Sequence, residues 1–205
     1  VTATELGTPA DVGDRYFSGC LEALGARCDE LHILGVRVVL GVDVTRLECN
    51  DMCHHWWPDR KCFVEAPLWA GAPPPTSALR CVFNFPHTTR PGKMAKLLAQ
   101  MFRSIRVCIA RGFAHAACDV ELRLRHVSSS DPSHDAGKLI RSRYGHDEAA
   151  TAACFDVVSV EDSDLHLWAG YEHRSTKRNA RCGHYDLVNV HRWRAAPMRP
   201  PSAQA

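Results

Sequence analysis

The spacing of apolar residues predicts that strands and helices alternate along most of the chain. Residues 1–6 form a β-branched run, residues 14–34 carry apolar side chains at intervals of three and four, and residues 36–42 are almost continuously apolar. The last pattern is typical of a parallel strand that is buried on both faces. Asp11 is placed to cap the helix, and Gly35 suits its left-handed end. This order of elements indicates an α/β fold.

The same alternation continues through the second half of the chain. Its clearest apolar stripe belongs to a helix that ends at Gly112. Because the last two elements are both strands, we predict a doubly wound, mostly parallel sheet that is closed by a C-terminal antiparallel hairpin. The predicted elements are a strand at 79–83, a helix at 93–111, a strand at 116–124, a helix at 135–154, and strands at 155–160 and 185–193.

Residues 48–78 interrupt this order and show no clear period. A stretch of that length without periodicity is usually an insertion or a functional loop. We therefore predict one domain over residues 1–194 with an inserted loop at 48–78, followed by a tail at 195–205.

The bulk composition narrows the class of protein only a little. A chain of 205 residues with 45% hydrophobic and 23% charged residues has the size and composition of an ordinary globular domain. No stretch reaches the roughly 18 consecutive apolar residues of a membrane span, so we expect no membrane partner. The net charge of +2 gives little support for nucleic-acid binding by itself.

The ten cysteines are spread along the whole chain. With an α/β fold, this distribution favours reduced thiols in an intracellular compartment over a disulfide framework. One cluster has ligand types that suit zinc, but its spacing is not that of paired C-x-x-C knuckles, and we assign no metal site to it. The cluster consists of Cys49, Cys53, His54, His55 and Cys62.

A polar tetrapeptide, Asn84-Phe85-Pro86-His87, follows the predicted strand at 79–83. In open α/β sheets, ligands bind in the crevice outside the carboxyl ends of the strands. The tetrapeptide offers an amide, a stacking ring, a fixed backbone angle and a group that titrates near neutrality. It is either a functional site or an ordinary turn that proline sets after a strand.

Three stretches, residues 35–47 (GVRVVLGVDVTRL), 82–88 (VFNFPHT) and 170–176 (GYEHRST), occur in the order found in one family. Together they resemble the ribosomal-RNA uridine methyltransferases that modify ring nitrogen 3 of uridine, a module also found with ferredoxin-fold anticodon-binding domains. The resemblance implies a Rossmann-like methyltransferase fold, S-adenosylmethionine as cofactor, and ribosomal RNA or a ribonucleoprotein as partner. It also implies an intracellular location, in the nucleolus or the mitochondrion.

The resemblance assigns roles to individual residues. Asp43, at the end of the second strand, is placed to meet the adenine amino group, or alternatively to cap the turn at 44–47. His173 is a second candidate proton acceptor, or alternatively a structural histidine in a turn. The catalytic candidates are Asn84, Phe85, Pro86, His87 and His173, and the cofactor candidates are Glu5, Asp43 and Asn84.

The third stretch begins a run of aromatic and basic side chains that suits RNA. Tyr171 can stack on a base, and the cations after it can bind phosphate. The same cations also fit a solvated turn. The RNA-binding candidates are Tyr171, Arg174, Lys177, Arg178 and Arg181.

One family feature has no counterpart in the chain. Members begin with a strand and a GDGDFSFS-type motif that holds the methionine end of the cofactor, whereas this chain opens at what corresponds to the second strand. The position of the family's ribose-binding acid is occupied by Leu6-Gly7-Thr8, and Glu5 lies two positions before Gly7. We therefore expect either a piece of a longer protein whose first strand is missing or an incomplete cofactor site. The first residue is Val1 and not methionine, which favours a piece or a processed product.

Two functions follow from this comparison. The first is an S-adenosylmethionine-dependent RNA methyltransferase that acts on a uridine of ribosomal RNA once upstream sequence completes its cofactor site. The second is a catalytically inactive relative that serves ribosome biogenesis as a structural or assembly subunit with protein partners.

Overall fold

A computed structural model of the chain describes residues 2–5, 7–70, 80–84, 91–125, 145–164 and 187–197. The chain divides into two compact units, and the described residues up to 70 belong to the first and those from 80 onward to the second. Each unit contains one four-stranded sheet with helices, which confirms a mixed α/β fold. None of the helices in these ranges is long and apolar enough to cross a membrane.

The first unit contains a sheet of order β1-β2-β3-β4. The pair β1 and β2 is parallel, and the other two pairs are antiparallel. Its elements are β1 (Thr2–Glu5), α1 (Pro9–Tyr16), α2 (Leu21–Ile33), β2 (Arg37–Leu40), a 3-10 helix (Val44–Cys49), β3 (Cys53–Trp57) and β4 (Cys62–Ala66).

Two helices, α1 and α2, replace the single helix predicted at 14–34, so that prediction is wrong in its start and its continuity. The break falls at Ser18 and Gly19, whose φ angles are 53° and 80° and lie outside the helical region. Asp11 is also not the N-cap. Thr8 caps α1, and Asp11 is its partner three residues later. Gly35 does take the predicted left-handed conformation, with φ of 73°.

The predicted inserted loop at 48–78 contains the hairpin of β3 and β4, which is a correction. Trp56 lies opposite Phe63 in this hairpin, and their ring centroids are 5.1 Å apart. Histidine, cysteine and tryptophan give little contrast between polar and apolar positions, and they concealed the two-residue period of β3.

The apolar run at β2 is buried on both of its faces, as predicted. Val38 and Leu40 belong to one core with residues of α1 and α2, and Val39 belongs to a second core with Val42 and Cys53. A strand with this burial explains the nearly unbroken apolar sequence.

The second unit contains a sheet of order β5-β6-β8-β7, in which β5 and β6 are parallel and β8 is antiparallel to both neighbours. The predicted strands and the long helix are present, and the C-terminal hairpin is confirmed. Across the described strands of both units, two pairings are parallel and four antiparallel, so the prediction of a mostly parallel sheet is wrong. The elements are β5 (Arg80–Asn84), α3 (Pro91–Ala110), β6 (Asp119–Arg125), α4 (His146–Ala152), β7 (Phe155–Asp164) and β8 (Leu187–Ala195).

The core of the second unit is built on one face of this sheet. Val120 and Leu122 of β6 and Trp193 of β8 are at most 1% exposed. Most of the predicted stripe of α3 is buried as well, and Phe102 contacts Trp193 with ring centroids 5.4 Å apart. The buried residues of α3 are Met94, Leu98, Met101, Phe102, Ser104, Ile105 and Cys108.

Candidate functional site at the carboxyl ends of the strands

The parallel strands β1 and β2 end at the same edge of the first sheet, since Glu5 lies opposite Leu40. The loops that follow the two strands are joined directly, because the amide of Gly41 donates to the carbonyl oxygen of Gly7 at 2.9 Å. Glu5 is the last residue of β1, and its side chain lies outside the described part of the structure. Asp43 follows β2 by three residues and belongs to the same edge.

The carboxylate of Asp43 is anchored through one of its two oxygens. Its Oδ1 accepts hydrogen bonds from the amide and the hydroxyl of Thr45, at 2.9 and 2.7 Å. The Asp43 backbone is also fixed, because its amide donates to Asn50 Oδ1 and its carbonyl accepts from Asn50 Nδ2, both at 2.9 Å. The alternative of a capping role is therefore confirmed. Within the described ranges, Oδ2 of Asp43 accepts no hydrogen bond and is left for a further donor.

The first acid after the end of β1 is Asp11, which lies in the first turn of α1. Asp11 Oδ2 accepts from the amide of Thr8 at 3.0 Å and from its hydroxyl at 2.7 Å, and the Thr8 hydroxyl accepts from the Asp11 amide. The hydrogen bonds from Thr8 hold the pKa of Asp11 below its ordinary value. This carboxylate therefore stabilises the start of a helix.

In the second unit, Asn84 is the last residue of β5 and pairs with Arg123 of the parallel strand β6. The backbone thus places Asn84 at a carboxyl edge, as the sequence predicted. Its side chain lies outside the described part of the structure, and so do Phe85, Pro86 and His87.

The other predicted site residues also lie outside the described ranges, and their roles stay predictions. They are the catalytic candidate His173 and the RNA-binding candidates Tyr171, Arg174, Lys177, Arg178 and Arg181.

The cysteine and histidine cluster of residues 49–62 is not gathered around one point. Cys53 is buried, and its Sγ lies 3.8 Å from the carbonyl oxygens of Gly41 and Asn50. Cys62, by contrast, is exposed.

His55 of β3 has a structural role that its neighbour Arg37 defines. A guanidinium group only donates, so His55 Nδ1 accepts from Arg37 at 3.0 Å. His55 Nε2 then carries the hydrogen and donates to the carbonyl oxygens of Ala66 and Pro67, at 3.2 and 3.0 Å. Burial, together with the positive charge of Arg37, lowers the pKa of His55.

Sequence reasoning missed a buried carboxylate on the second sheet. Glu121 is 1% exposed and accepts from Arg123 Nε at 2.6 Å and from Arg192 Nε at 2.9 Å. Burial acts to raise the pKa of Glu121, but the hydrogen bonds from Arg192 and Arg123 outweigh it and hold that pKa below its ordinary value. The alternation in β6 signalled a polar face, whereas the partner on β8 depends on a pairing that the sequence does not show.

The fold and the strand-edge residues define a mixed α/β protein with polar groups after the carboxyl ends of two parallel strand pairs. Residues 1–175 match the family described as BMT5-like, rRNA (uridine-N3-)-methyltransferase BTM5-like, and the chain belongs to this family. The resemblance seen in the sequence is thereby confirmed. No curated protein matches the chain.

Several solved structures are similar to the chain at low sequence identity. The 16S rRNA (adenine(1408)-N(1))-methyltransferase of Catenulisporales acidiphilia, in a mutant form with cosubstrate SAM, is 16% identical over 60% of this chain and 55% of its own, with a TM-score of 0.36. A second structure of that mutant is 12% identical over 97% and 86%, with a TM-score of 0.41. A structure described as an antibiotic related methyltransferase is 13% identical over 58% and 51%, with a TM-score of 0.29. The chain thus spans little more than half of the first of these proteins.

Proposed function

We propose that this chain is the core of an S-adenosylmethionine-dependent methyltransferase that acts on a uridine of ribosomal RNA. Family membership supports the proposal. The observation that carries it is Asp43, whose carboxylate stands beyond the end of β2 with Oδ1 fixed by Thr45 and Oδ2 available.

The donor set at this edge fits the adenosine part of the cofactor. Asp43 Oδ2 accepts a hydrogen bond from the amino group of adenine, and Glu5, at the end of the neighbouring strand, suits the ribose hydroxyls. Before the ligand arrives, Thr45 holds the Asp43 carboxylate and Asn50 holds the Asp43 backbone. When bound, S-adenosylmethionine supplies an electrophilic methyl group.

The residues after β5 act on the base. Asn84 donates its amide to a carbonyl oxygen of the uracil ring, which stabilises the negative charge that develops when the ring nitrogen loses its proton. His87 or His173 accepts that proton. Phe85 stacks on the ring, an interaction worth about 1–3 kcal/mol per base, and Pro86 fixes the turn between them.

The base must leave its stack in the RNA before it reaches these groups, which costs a few kcal/mol. Contacts outside the reacting ring offset this cost. Tyr171 provides a further stacking surface, and Arg174, Lys177, Arg178 and Arg181 bind the phosphates on either side.

A second function, that of an inactive assembly subunit in a ribosomal precursor, is favoured by one observation. The end of β1 is followed by Gly7 and Thr8, and Asp11 is used by Thr8 at the start of α1. Because Asp11 is already hydrogen-bonded to Thr8, Glu5 is the acid at the end of β1 that is left to bind the ribose hydroxyls. If Glu5 does not reach the ligand, the adenosine loses a contact to charge worth about 1.5–3 kcal/mol.

Calorimetry of S-adenosylmethionine binding to the chain and to Asp43→Asn distinguishes the two functions. Asparagine keeps the Oδ1 acceptor for Thr45 but replaces the second oxygen by a donor, so we expect unchanged folding and about tenfold or greater loss of affinity. Asp51→Asn, at an exposed aspartate, is the matched control and should bind as the parent does. Absence of binding heat at millimolar cofactor would reject the enzyme for this chain and leave the assembly function. Equal affinity of the two variants would remove Asp43 from the site.

A further inference from the structure

We propose that His146, Asp147 and His191 form a binding site for a divalent first-row transition-metal ion. Each residue offers one ligand atom, and these atoms all lie within 4.8 Å of one another. Among the described residues, these three are the one group of His, Cys, Asp or Glu side chains that lie close enough together to hold a metal ion. The site belongs to the second unit and does not depend on the proposed methyl transfer.

Two elements deliver the three ligands. His146 and Asp147 are the first two residues of α4, which begins after Gly145 in the left-handed conformation with φ of 55°. His191 comes from β8. The imidazole centroids of His146 and His191 are 4.7 Å apart, and Nε2 of His146 lies 3.8 Å from a carboxylate oxygen of Asp147. The group therefore joins residues that are 45 positions apart in the sequence.

Two of the three ligands are buried, and the third is exposed to solvent. His146 and His191 are only 1% and 4% exposed. The Asp147 side chain is 59% exposed, so a metal ion can enter from the solvent past the carboxylate. Shielding of the two imidazole ligands from water strengthens their interaction with an ion.

The ligand set indicates the class of ion. Imidazole suits zinc, copper, iron and nickel, and a set of two histidines and one carboxylate leaves positions for water. Zinc–nitrogen bonds of about 2.0–2.1 Å put tetrahedral ligand atoms roughly 3.3 Å apart. The pair at 3.8 Å is already near that separation, and the remaining ligand atoms lie at most 4.8 Å apart.

Charge at the start of α4 is compatible with a cation. The amino end of a helix carries a partial positive charge, which opposes metal binding. Asp147 and Glu148 both lie in the first turn of α4 and offset it. A bound ion would then fasten the start of α4 to β8.

The competing explanation is an aromatic contact without a metal. The His191 ring is nearly parallel to that of Trp193, at 14° and 5.7 Å, and His146 meets Trp193 edge-on at 5.8 Å. Packing alone would give this geometry in the core of the unit. The two explanations differ in the role they give to Asp147, which has no part in an aromatic cluster.

Nickel titration of the full 205-residue chain tests the site, because nickel prefers imidazole and is less drawn to the ten thiols. We expect one ion bound per chain and an increase in Tm on binding. Asp147→Asn, a surface change, should weaken nickel binding at least tenfold, whereas the exposed control Asp156→Asn should not. His191→Phe keeps an aromatic ring beside Trp193 and should also lose binding, whereas His32→Phe at an exposed position should retain it.

The fluorescence of Trp193 tests whether the ion binds at this position. Bound nickel should quench part of the tryptophan fluorescence, and that part should disappear in Trp193→Phe, which retains all three ligands. Nickel affinity that is unchanged in both Asp147→Asn and His191→Phe would overturn the proposal, as would a folded chain that binds no nickel. Because no arm of the experiment uses S-adenosylmethionine or RNA, its failure is separate from failure of the proposed function.

Discussion

Replacement of Glu121 by glutamine tests the account of the charged face of the second sheet. Glutamine has nearly the same shape and keeps one acceptor oxygen, but it removes the negative charge from between Arg123 and Arg192. The parent carboxylate is 1% exposed and accepts at 2.6 and 2.9 Å, and Arg80 lies 3.8 Å away. The change therefore leaves positive groups facing a neutral amide in a buried position.

The magnitude follows from two hydrogen bonds to a charged group. Such bonds are worth about 1.5–3 kcal/mol each, and breaking a fully buried pair costs about 3–5 kcal/mol. Arg123 and Arg192 are 24% and 29% exposed, so water replaces part of what they lose. We therefore expect Glu121→Gln to lower the free energy of unfolding of the second unit by about 2–3 kcal/mol.

Equilibrium urea denaturation, followed by circular dichroism and by hydrogen exchange of the β6 amides, measures this change. Glu161→Gln is the matched control, since Glu161 accepts from the same Arg192 at 2.8 Å but is 52% exposed. Exposed ion pairs contribute little, so the control should lose much less stability. The reasoning is refuted if Glu121→Gln and Glu161→Gln are equally stable.

Two further predictions concern the first unit. Because the pKa of His55 is lowered, the folded state binds fewer protons than the unfolded state just below pH 6.5, so the contribution of His55 to stability is complete above that pH and declines as the pH falls through it. Urea denaturation at about pH 7.5 and about pH 5.5 should show this loss in the parent and less of it in His55→Gln. An equal pH dependence in both proteins would contradict the prediction. Gly35→Ala should lower the free energy of unfolding by about 1–2 kcal/mol, because φ is 73° while an added Cβ meets no atom within 4 Å. Gly35→Asn should cost less in the same thermal unfolding assay, and a larger loss in the asparagine variant would point to a steric cause instead.

The sequence predicted those elements in which apolar residues coincide with the buried faces. The run at β2 is buried on both faces, and the stripe of α3 is buried on one, so each shows its environment directly in the sequence. The hairpin of β3 and β4 was missed because its faces carry histidine and tryptophan, whose burial does not follow polarity. The break between α1 and α2 depends on Ser18 in a left-handed conformation, which serine adopts only when the surroundings impose it.

The candidate site was predictable to the extent that it follows strand ends. Asp43 and Asn84 stand where the sequence placed them, since the carboxyl end of an apolar run is visible without a structure. It was not visible that one oxygen of the Asp43 carboxylate is used locally, because this depends on the turn that brings the amide and hydroxyl of Thr45 to Oδ1. The meeting of His146 with His191 likewise depends on packing between distant segments.

The hydrogen bond between the Gly41 amide and the Gly7 carbonyl has a consequence for molecular recognition. It couples the segments that follow β1 and β2, so neither can change its backbone without disturbing the other. The distance between the two segments is therefore fixed before a small molecule contacts both of them. Binding then requires little loss of entropy to order these segments. Selectivity among small molecules at this edge would then come from length and shape as much as from charge.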